Sequence, residues 1–398
     1  MSDTSTNLIH HPYQPPAGFS SIQPGVYKAS TIVFPSVHAL QHRDWKHKNG
    51  YTYGLHGTPT TFTLEQRIAT LEGGTFCTLS PSGLAAVTLV SMALLKQGDE
   101  VLIPDNAYGP NKAFAQGELA GWGITHKFYD PMNPADLAAR LSPQTRLVWL
   151  EAPGSITLEF PDLPKLVAAV KSHTDRHPEG VVTALDNTWG AGIAFNAFDL
   201  GADISVQALT KYPSGGADVL MGSVVTRDEA LYEKLHSCHM RVGFGVSGND
   251  VELVLRGLPS IALRYAAQDA ATRALAEWLQ TLPEVAAVLH PALPTSPGHD
   301  AWKRDCSAAA CLLSIVFKAQ FGKEQVHRFC DSLRLFGIGY SWAGPMSLCV
   351  PYDIASLREV TAWPHEGGLV RLSIGLESVA DLQADLLQGL ATMHYSKD

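Results

Sequence analysis

From about residue 62 the apolar residues recur in two alternating rhythms. Between positions 62 and 72 they fall at Phe62, Leu64, Ile68 and Leu71, the spacing of a helix with one buried face. Gly73-Gly74 then supplies a stop, because glycine adopts the left-handed conformation that ends helices at little cost. A second helix is predicted over 84–96, ending at Gly98. Short apolar runs at 100–103, 146–150, 181–185 and 204–208 read as buried strands, and helical patterns such as 163–170 lie between some of them. Strands alternating with helices give a mostly parallel sheet with right-handed crossovers. Such sheets gather ligands at the C-terminal ends of their strands.

After about residue 250 the texture changes. Residues 251–282 read as one or two long helices, and 311–317, 338–342 and 370–374 as strands. A closing helix is expected over 378–390, with Ser378 and Asp381 in capping-box spacing. Residues 1–58, rich in Pro, Gly, Ser, Thr and His, show no sustained helical period. They read as an extended arm that must be covered by something, a neighbouring subunit being one candidate. The expected organisation is therefore an arm over 1–58, an α/β domain over 59–250 and a smaller α+β domain over 251–398. No internal repeat or low-complexity tract interrupts it.

Composition narrows the function classes. A chain of 398 residues is too long for one typical core. Its net charge of −9 and lack of any Lys/Arg run argue against a nucleic-acid partner. None of the six cysteines forms C-x-x-C, so buried free thiols in a reducing compartment are expected rather than a disulfide framework or a metal site. The first residues have neither a basic start nor an apolar core, unlike a secretory signal. The longest apolar stretch, 84–95, is shorter than the roughly 20 residues that span a membrane. A cytoplasmic protein without a membrane partner is the expectation.

Four clusters carry candidate chemistry. Ser80-Pro81-Ser82-Gly83-Leu84 is a turn that opens straight into an apolar helix. Free N–H groups and the helix dipole at such an end attract phosphate, although Ser82 alone also reads as an N-cap. Leu185-Asp186-Asn187-Thr188-Trp189 follows a buried strand. A carboxylate there can pair with a protonated pyridine nitrogen and hold the ring as an electron sink; alone, it is equally a turn-capping aspartate. Lys211 closes the run Ser205-Val206-Gln207-Ala208-Leu209-Thr210-Lys211-Tyr212. Burial of an ammonium lowers its pKa and frees the amine to attack a carbonyl, unless the side chain reaches solvent. The loop Pro213-Ser214-Gly215-Gly216 lets backbone come close to a ligand. Arg371 interrupts the apolar run Leu369-Val370-Arg371-Leu372-Ser373-Ile374-Gly375, and its fork suits a carboxylate, whether a ligand's or a structural partner's. Together these clusters supply the groups that an amino-acid-binding pyridoxal-5′-phosphate (PLP) site needs.

With these residues in place the chain resembles the cysteine/methionine-metabolism PLP enzymes of fold type I, from about residue 27 to 390. The resemblance rests on Tyr53-Gly54, Leu71-Glu72-Gly73-Gly74, Glu151-Ala152-Pro153-Gly154-Ser155, Asp186-Asn187-Thr188-Trp189, Thr210-Lys211-Tyr212, Tyr340-Ser341-Trp342 and Arg371-Leu372-Ser373-Ile374-Gly375-Leu376-Glu377. It implies the PLP-dependent transferase-like α/β fold, with a central mostly parallel sheet and a smaller C-terminal α+β domain. It also implies that Lys211 holds PLP and then shuttles protons, that Asp186 pairs with the ring nitrogen and that Tyr108 stacks on the ring. The N–H groups of Gly83 and Leu84, with Thr210, would hold the phosphate, and Tyr53 would reach the phosphate of a neighbouring subunit. Arg371 and Ser341 would hold the substrate α-carboxylate, with Trp342 and Ser155 beside them. The implied assembly is a tetramer of dimers with shared sites, and no metal is implied.

The activity implied is that of a carbon–sulfur β-lyase acting on an amino-acid thioether. With L-cystathionine the products would be L-homocysteine, pyruvate and ammonia. Cysteine desulfhydration and γ-elimination are the neighbouring alternatives. A PLP-binding regulator is the remoter one, and the intact proton-transfer and carboxylate-binding residues argue against it. Three departures from the family pattern stand out. Leu55 replaces the arginine usual after Tyr53-Gly54, which makes His56 the candidate substitute; Ala208 replaces a serine; and Ala343-Gly344-Pro345-Met346 replaces a Gly-Gly loop with a following glutamate.

Overall fold

The computed structural model describes residues 4–13, 15–45, 48, 50–174 and 180–394. Its larger sheet has seven strands: β1 (Phe76–Ser80), β2 (Glu100–Pro104), β3 (Thr125–Tyr129), β4 (Thr145–Glu151), β5 (Val182–Asp186), β6 (Ile204–Ala208) and β7 (Gly222–Thr226). In space they run β1-β7-β6-β5-β4-β2-β3. Neighbours from β6 to β3 are parallel, and β7 is antiparallel to both β1 and β6. Helices cover this sheet, so strands such as β2 are buried along their whole length and carry continuous apolar runs.

The smaller sheet holds β8 (Val285–Leu289), β9 (Leu312–Phe317), β10 (Gly337–Ile338), β11 (Leu348–Tyr352) and β12 (Leu369–Ser373). Its order is β10-β11-β12-β9-β8, antiparallel except for β10 beside β11. The expected α/β architecture with a second, smaller sheet is therefore present. Helix ends follow their sequence signals. Thr58 caps Pro59–Glu72 with proline in the first turn, and Gly73 ends it at φ 69°. Ser82 caps Gly83–Leu94 by accepting the Ala85 N–H at 3.0 Å.

Packing departs from the sequence reading in several places. The arm expected over 1–58, of which residues 1–3, 14, 46, 47 and 49 lie outside the described residues, is not wholly extended. It forms short helices at Thr4–Ile9 and Val37–Gln41, and Leu8 is buried in the main core of its own chain. The expected helical stretch 251–282 splits into Gly248–Gly257 and Ile261–Leu279, with a single 3-10 turn at Leu258–Ser260 between them. Pro259 has no N–H to continue the ladder. Val251 through Tyr265 pack in the core of the larger sheet, whereas Leu275 and Leu279 pack in that of the smaller. Ile261–Leu279 thus bridges the two cores.

The strand expected over 338–342 is reduced to the two residues of β10. Ser341 and Ala343 take φ values of 92° and 63°, and a left-handed residue cannot continue a strand. Ser378 opens the last helix, Val379–Thr392, without a side-chain cap bond, so the capping box does not form. All six cysteines are free. No helix among the described residues is long and apolar enough to cross a membrane.

Candidate active site

The parallel strands deliver their functional residues to one edge of the larger sheet. β2 ends at Pro104 and leads to Tyr108, β4 ends at Glu151, and β5 ends at Asp186. β6 ends at Ala208 and leads to Lys211, while β1, in the same direction, leads through Ser82 to Gly83. The start of the Gly83 helix lies directly on the end of β6: a Cβ on Gly83 would sit 2.6 Å from that of Ala208. Glycine is required there by close approach. Ser82 satisfies Ala85 and Ala86, and the N–H groups of Gly83 and Leu84 have no acceptor among the described residues. That is an anion-binding helix start beside the lysine loop.

Lys211 is half-buried, and its Nζ donates to Ser341 Oγ at 2.6 Å. The same nitrogen lies 5.3 Å from the centre of the Trp342 ring. Burial, and after it the positive charge of Arg371, lowers the Lys211 pKa to about 8. The amine is therefore far more often neutral near pH 7 than an ordinary lysine's. Ser341 and Trp342 come from the smaller domain. Their loop is held by Gln268, whose Nε2 donates to Gly344 O at 3.0 Å and Ile374 O at 3.1 Å. Glu377 accepts from Ser347 N at 2.7 Å and Ser347 Oγ at 2.8 Å. These bonds offset the roughly 1–2 kcal/mol that a left-handed residue costs.

Asp186 Oδ1 accepts from Thr188 Oγ1 at 2.6 Å and Thr188 N at 3.0 Å. Its other oxygen has no protein donor among the described residues. Burial raises the Asp186 pKa, opposed by the two Thr188 bonds and by Lys211. A cationic ring nitrogen would satisfy the open oxygen and reverse the penalty. Tyr108 is 38% exposed, and its N–H donates to Glu151 Oε2 at 2.7 Å. Glu151 is the lateral neighbour of Asp186 in the sheet. Burial and the Asp186 charge push its pKa well above the carboxylate range.

Arg371, in β12, is only 7% exposed. Its Nη1 donates to Ser155 O at 2.9 Å, and its guanidinium carbon lies 5.4 Å from the centre of the Tyr352 ring. It makes no ion pair among the described residues. A buried guanidinium with one main-chain bond and no counter-charge is built for an anionic ligand. Ser155 thus meets Arg371 through its carbonyl.

Three further residues were expected at a phosphate: Thr210 in this chain, and Tyr53 with His56 at that of a neighbouring subunit. Thr210 Oγ1 accepts from Met221 N at 3.1 Å and donates to Met221 O at 3.3 Å, so its one proton is spent within the turn. Tyr53, 47% exposed, and His56 line a separate cavity of about 720 Å³ with Thr31, Phe34, Arg43 and Thr52. His56 Nδ1 is bonded to the Thr52 hydroxyl. Burial, then Arg43, lowers the His56 pKa. Leu55 is half-buried, its Cδ1 beside Gly245 of its own chain. A second cavity, about 110 Å³ and lined by Lys48, Glu65, Cys77 and Tyr232, contains none of the candidate site residues.

Sequence reasoning gave no role to Glu151 and Thr188, although both lie in the quoted motifs, and none to Tyr352. The rule that marked Asp186, a carboxylate ending a buried parallel strand, applies equally to Glu151. Tyr352 had no such signal, because β11 was not predicted. The site as a whole fits PLP: a helix start for phosphate, an open aspartate oxygen for the ring nitrogen, a low-pKa lysine and an exposed aromatic face.

Comparison with known proteins agrees. The family described as Cys/Met metabolism PLP-dependent enzyme matches residues 5–391. The Escherichia coli (strain K12) protein "Cystathionine beta-lyase MetC" is 40% identical over 370 residues, 92% of each chain. The Bordetella avium "Cystathionine beta-lyase" is 40% identical over 404 residues, 98% of this chain and 99% of that one. Among solved structures, cystathionine gamma synthase from Xanthomonas oryzae pv. oryzae superimposes with a TM-score of 0.87 at 29% identity, covering 99% of both chains.

Proposed function

The chain belongs to the Cys/Met metabolism PLP-dependent enzymes, and from that we propose that it is a carbon–sulfur β-lyase whose principal substrate is L-cystathionine. The observation that carries this reading is the amine of Lys211, held 2.6 Å from Ser341 and 5.3 Å from Trp342 in a site that also contains the unpaired Arg371. In the reaction the β-carbon–sulfur bond breaks and one water is consumed. L-homocysteine, pyruvate and ammonia are released.

PLP supplies the electron sink that makes the α-proton of an amino acid acidic. Lys211 would hold it, with Asp186 at the ring nitrogen, Tyr108 at the ring face, and the N–H groups of Gly83 and Leu84 at the phosphate. Arg371 fixes the substrate by its α-carboxylate, which sets the α-hydrogen toward Lys211. A neutral Nζ takes that proton, and the pKa near 8 leaves it able to give the proton back. Ser341 steers the amine, and Trp342 bounds the space for the thioether arm. Relatives whose names describe β-elimination match over nearly the whole chain, and an indole here favours the β-pose of the substrate.

The exposed apolar residues Phe19, Ile22, Val33 and Val37 support a subunit interface along the arm, with Tyr53 serving a neighbouring subunit in a tetramer of dimers. The free cysteines support a cytoplasmic setting. Keto-acid identification with L-cystathionine tests the main reading. Pyruvate is expected, and predominant 2-oxobutyrate would move the enzyme to γ-elimination.

A further inference from the structure

The segment between β11 and β12 leaves the smaller domain at Tyr352, beside Arg371, and crosses to the larger domain. There it meets Asp105, three residues before Tyr108. Asp105 is 1% exposed, yet its carboxylate is fully occupied. It accepts from the consecutive backbone N–H groups of Glu359 at 2.9 Å, Val360 at 3.0 Å and Thr361 at 3.1 Å. The Thr361 hydroxyl adds a bond at 3.2 Å and Lys112 Nζ another at 3.0 Å. Lys112 also donates to Leu357 O at 2.9 Å, so the Asp105–Lys112 pair holds the crossing at Leu357 as well as at 359–361.

A second tie runs in parallel. Arg358 Nη2 donates to Glu159 Oε1 at 2.7 Å and to Thr157 Oγ1 at 2.6 Å. Glu159 Oε2 in turn accepts from Asn106 Nδ2 at 3.1 Å. The dipeptide preceding Ala107-Tyr108 is thus gripped by the strap directly and through Glu159. At its other end the strap grows out of β11, in which Val350 pairs with Arg371 of β12. Arg371 in one domain and Tyr108 in the other are therefore joined by a short, charge-assisted route.

We propose that Asp105 is a positioning residue for substrate binding: by latching segment 353–361 to the larger domain, it fixes Arg371 relative to Tyr108 and so sets where the substrate carboxylate sits over the cofactor ring. The inference rests on the reading of Arg371 as the carboxylate site. A simple packing role predicts a loss of stability and a general loss of activity. A latch predicts a loss confined to the carboxylate grip.

The test uses the PLP-loaded enzyme with L-cystathionine and compares Asp105→Asn, Arg371→Ala and the double variant. An amide presents its own N–H to the backbone donors, so amide hydrogen exchange at 359–361 should speed up about tenfold or more. KM should rise about tenfold with kcat within about threefold, and in the Arg371→Ala background the effect of Asp105→Asn on KM should vanish. An equal KM effect in both backgrounds would overturn the latch, leaving Arg371 as the carboxylate site. A wild-type KM in Arg371→Ala alone would remove that reading and the latch with it. If Asp105→Asn does not fold, Arg358→Met loosens the strap from the Glu159 side and should give the same pattern. Faster exchange at 359–361 with unchanged KM would again overturn the proposal.

Discussion

Replacing Arg371 with alanine separates its two jobs. In the structure one N–H group is spent on Ser155 O at 2.9 Å, and the rest of the fork is free for a ligand carboxylate. A charge-assisted hydrogen bond contributes about 1.5–3 kcal/mol, so losing the grip should cut kcat/KM roughly 10- to 150-fold. At 7% exposure little water is present to screen the loss, which favours the upper half of that range. The carboxylate is common to all amino-acid substrates, so the factor should be similar for L-cystathionine and L-cysteine. A second effect follows on Lys211, whose pKa Arg371 helps to depress. The alkaline rise of the rate should therefore move to higher pH. The assay is coupled pyruvate release across pH 6.5–9.5, alongside a thermal melt. Arg371→Lys, which keeps the charge without the fork, should recover part of the binding. An Arg371→Ala enzyme with normal kcat/KM for both substrates, destabilised or not, would refute the reasoning.

Lys211→Ala should give protein that is colourless after desalting, and borohydride treatment of the wild type should leave PLP attached to the Lys211 peptide and no other. Because the folded Lys211 pKa is lowered to about 8, its neutral amine dominates above that pH. PLP uptake by stripped enzyme should accelerate with a midpoint near pH 8, and a midpoint above pH 10 would contradict the burial argument. His56→Ala should leave the rate of PLP loss to a scavenger unchanged between pH 6 and 8, since the Thr52 hydroxyl of its own chain already engages this ring; slower or faster loss would place it at the phosphate. Leu55→Arg should slow that loss, equivalent to about 1–3 kcal/mol of tighter PLP binding, provided the new side chain leaves Gly245. An unchanged rate in folded protein would mean that position 55 stays turned toward its own chain.

The parts of the fold legible in the sequence were those with long apolar periods or unbroken apolar runs. β2, β4, β5 and β6 are central strands, buried on both faces, and their runs announced them. β1, β3 and β7 were not foreseen. β7 is Gly-Ser-Val-Val-Thr, and β3 carries His126 and Lys127 on a sheet edge, so neither offers the contrast that pattern reading needs. Lys211, Asp186 and Arg371 were legible because a charge at a buried strand is costly and calls for a reason. Tyr53 and His56 were assigned through resemblance alone, to a neighbouring subunit's site, and in the single chain they line a cavity that Lys211 does not. Thr210 shows the limit of residue type: its hydroxyl suits phosphate, but a backbone turn already uses it.

The antiparallel strand β7 also bears on how the molecule is made. β1 carries the turn that starts the Gly83 helix, and the strand beside it is β7, with Ser80 opposite Gly222. On a ribosome the turn emerges early and must wait for nearly the whole larger domain before its neighbour exists. Lys211 is synthesised before Gly222, so the amine leaves the tunnel before the strand that pairs with β1 is available. Long-range pairing of this kind is slow to close. A nascent chain stopped between the two residues would hold the reactive lysine but lack the strand that supports its anion-binding turn. Capture of PLP then belongs to the end of synthesis of this domain, not to its middle.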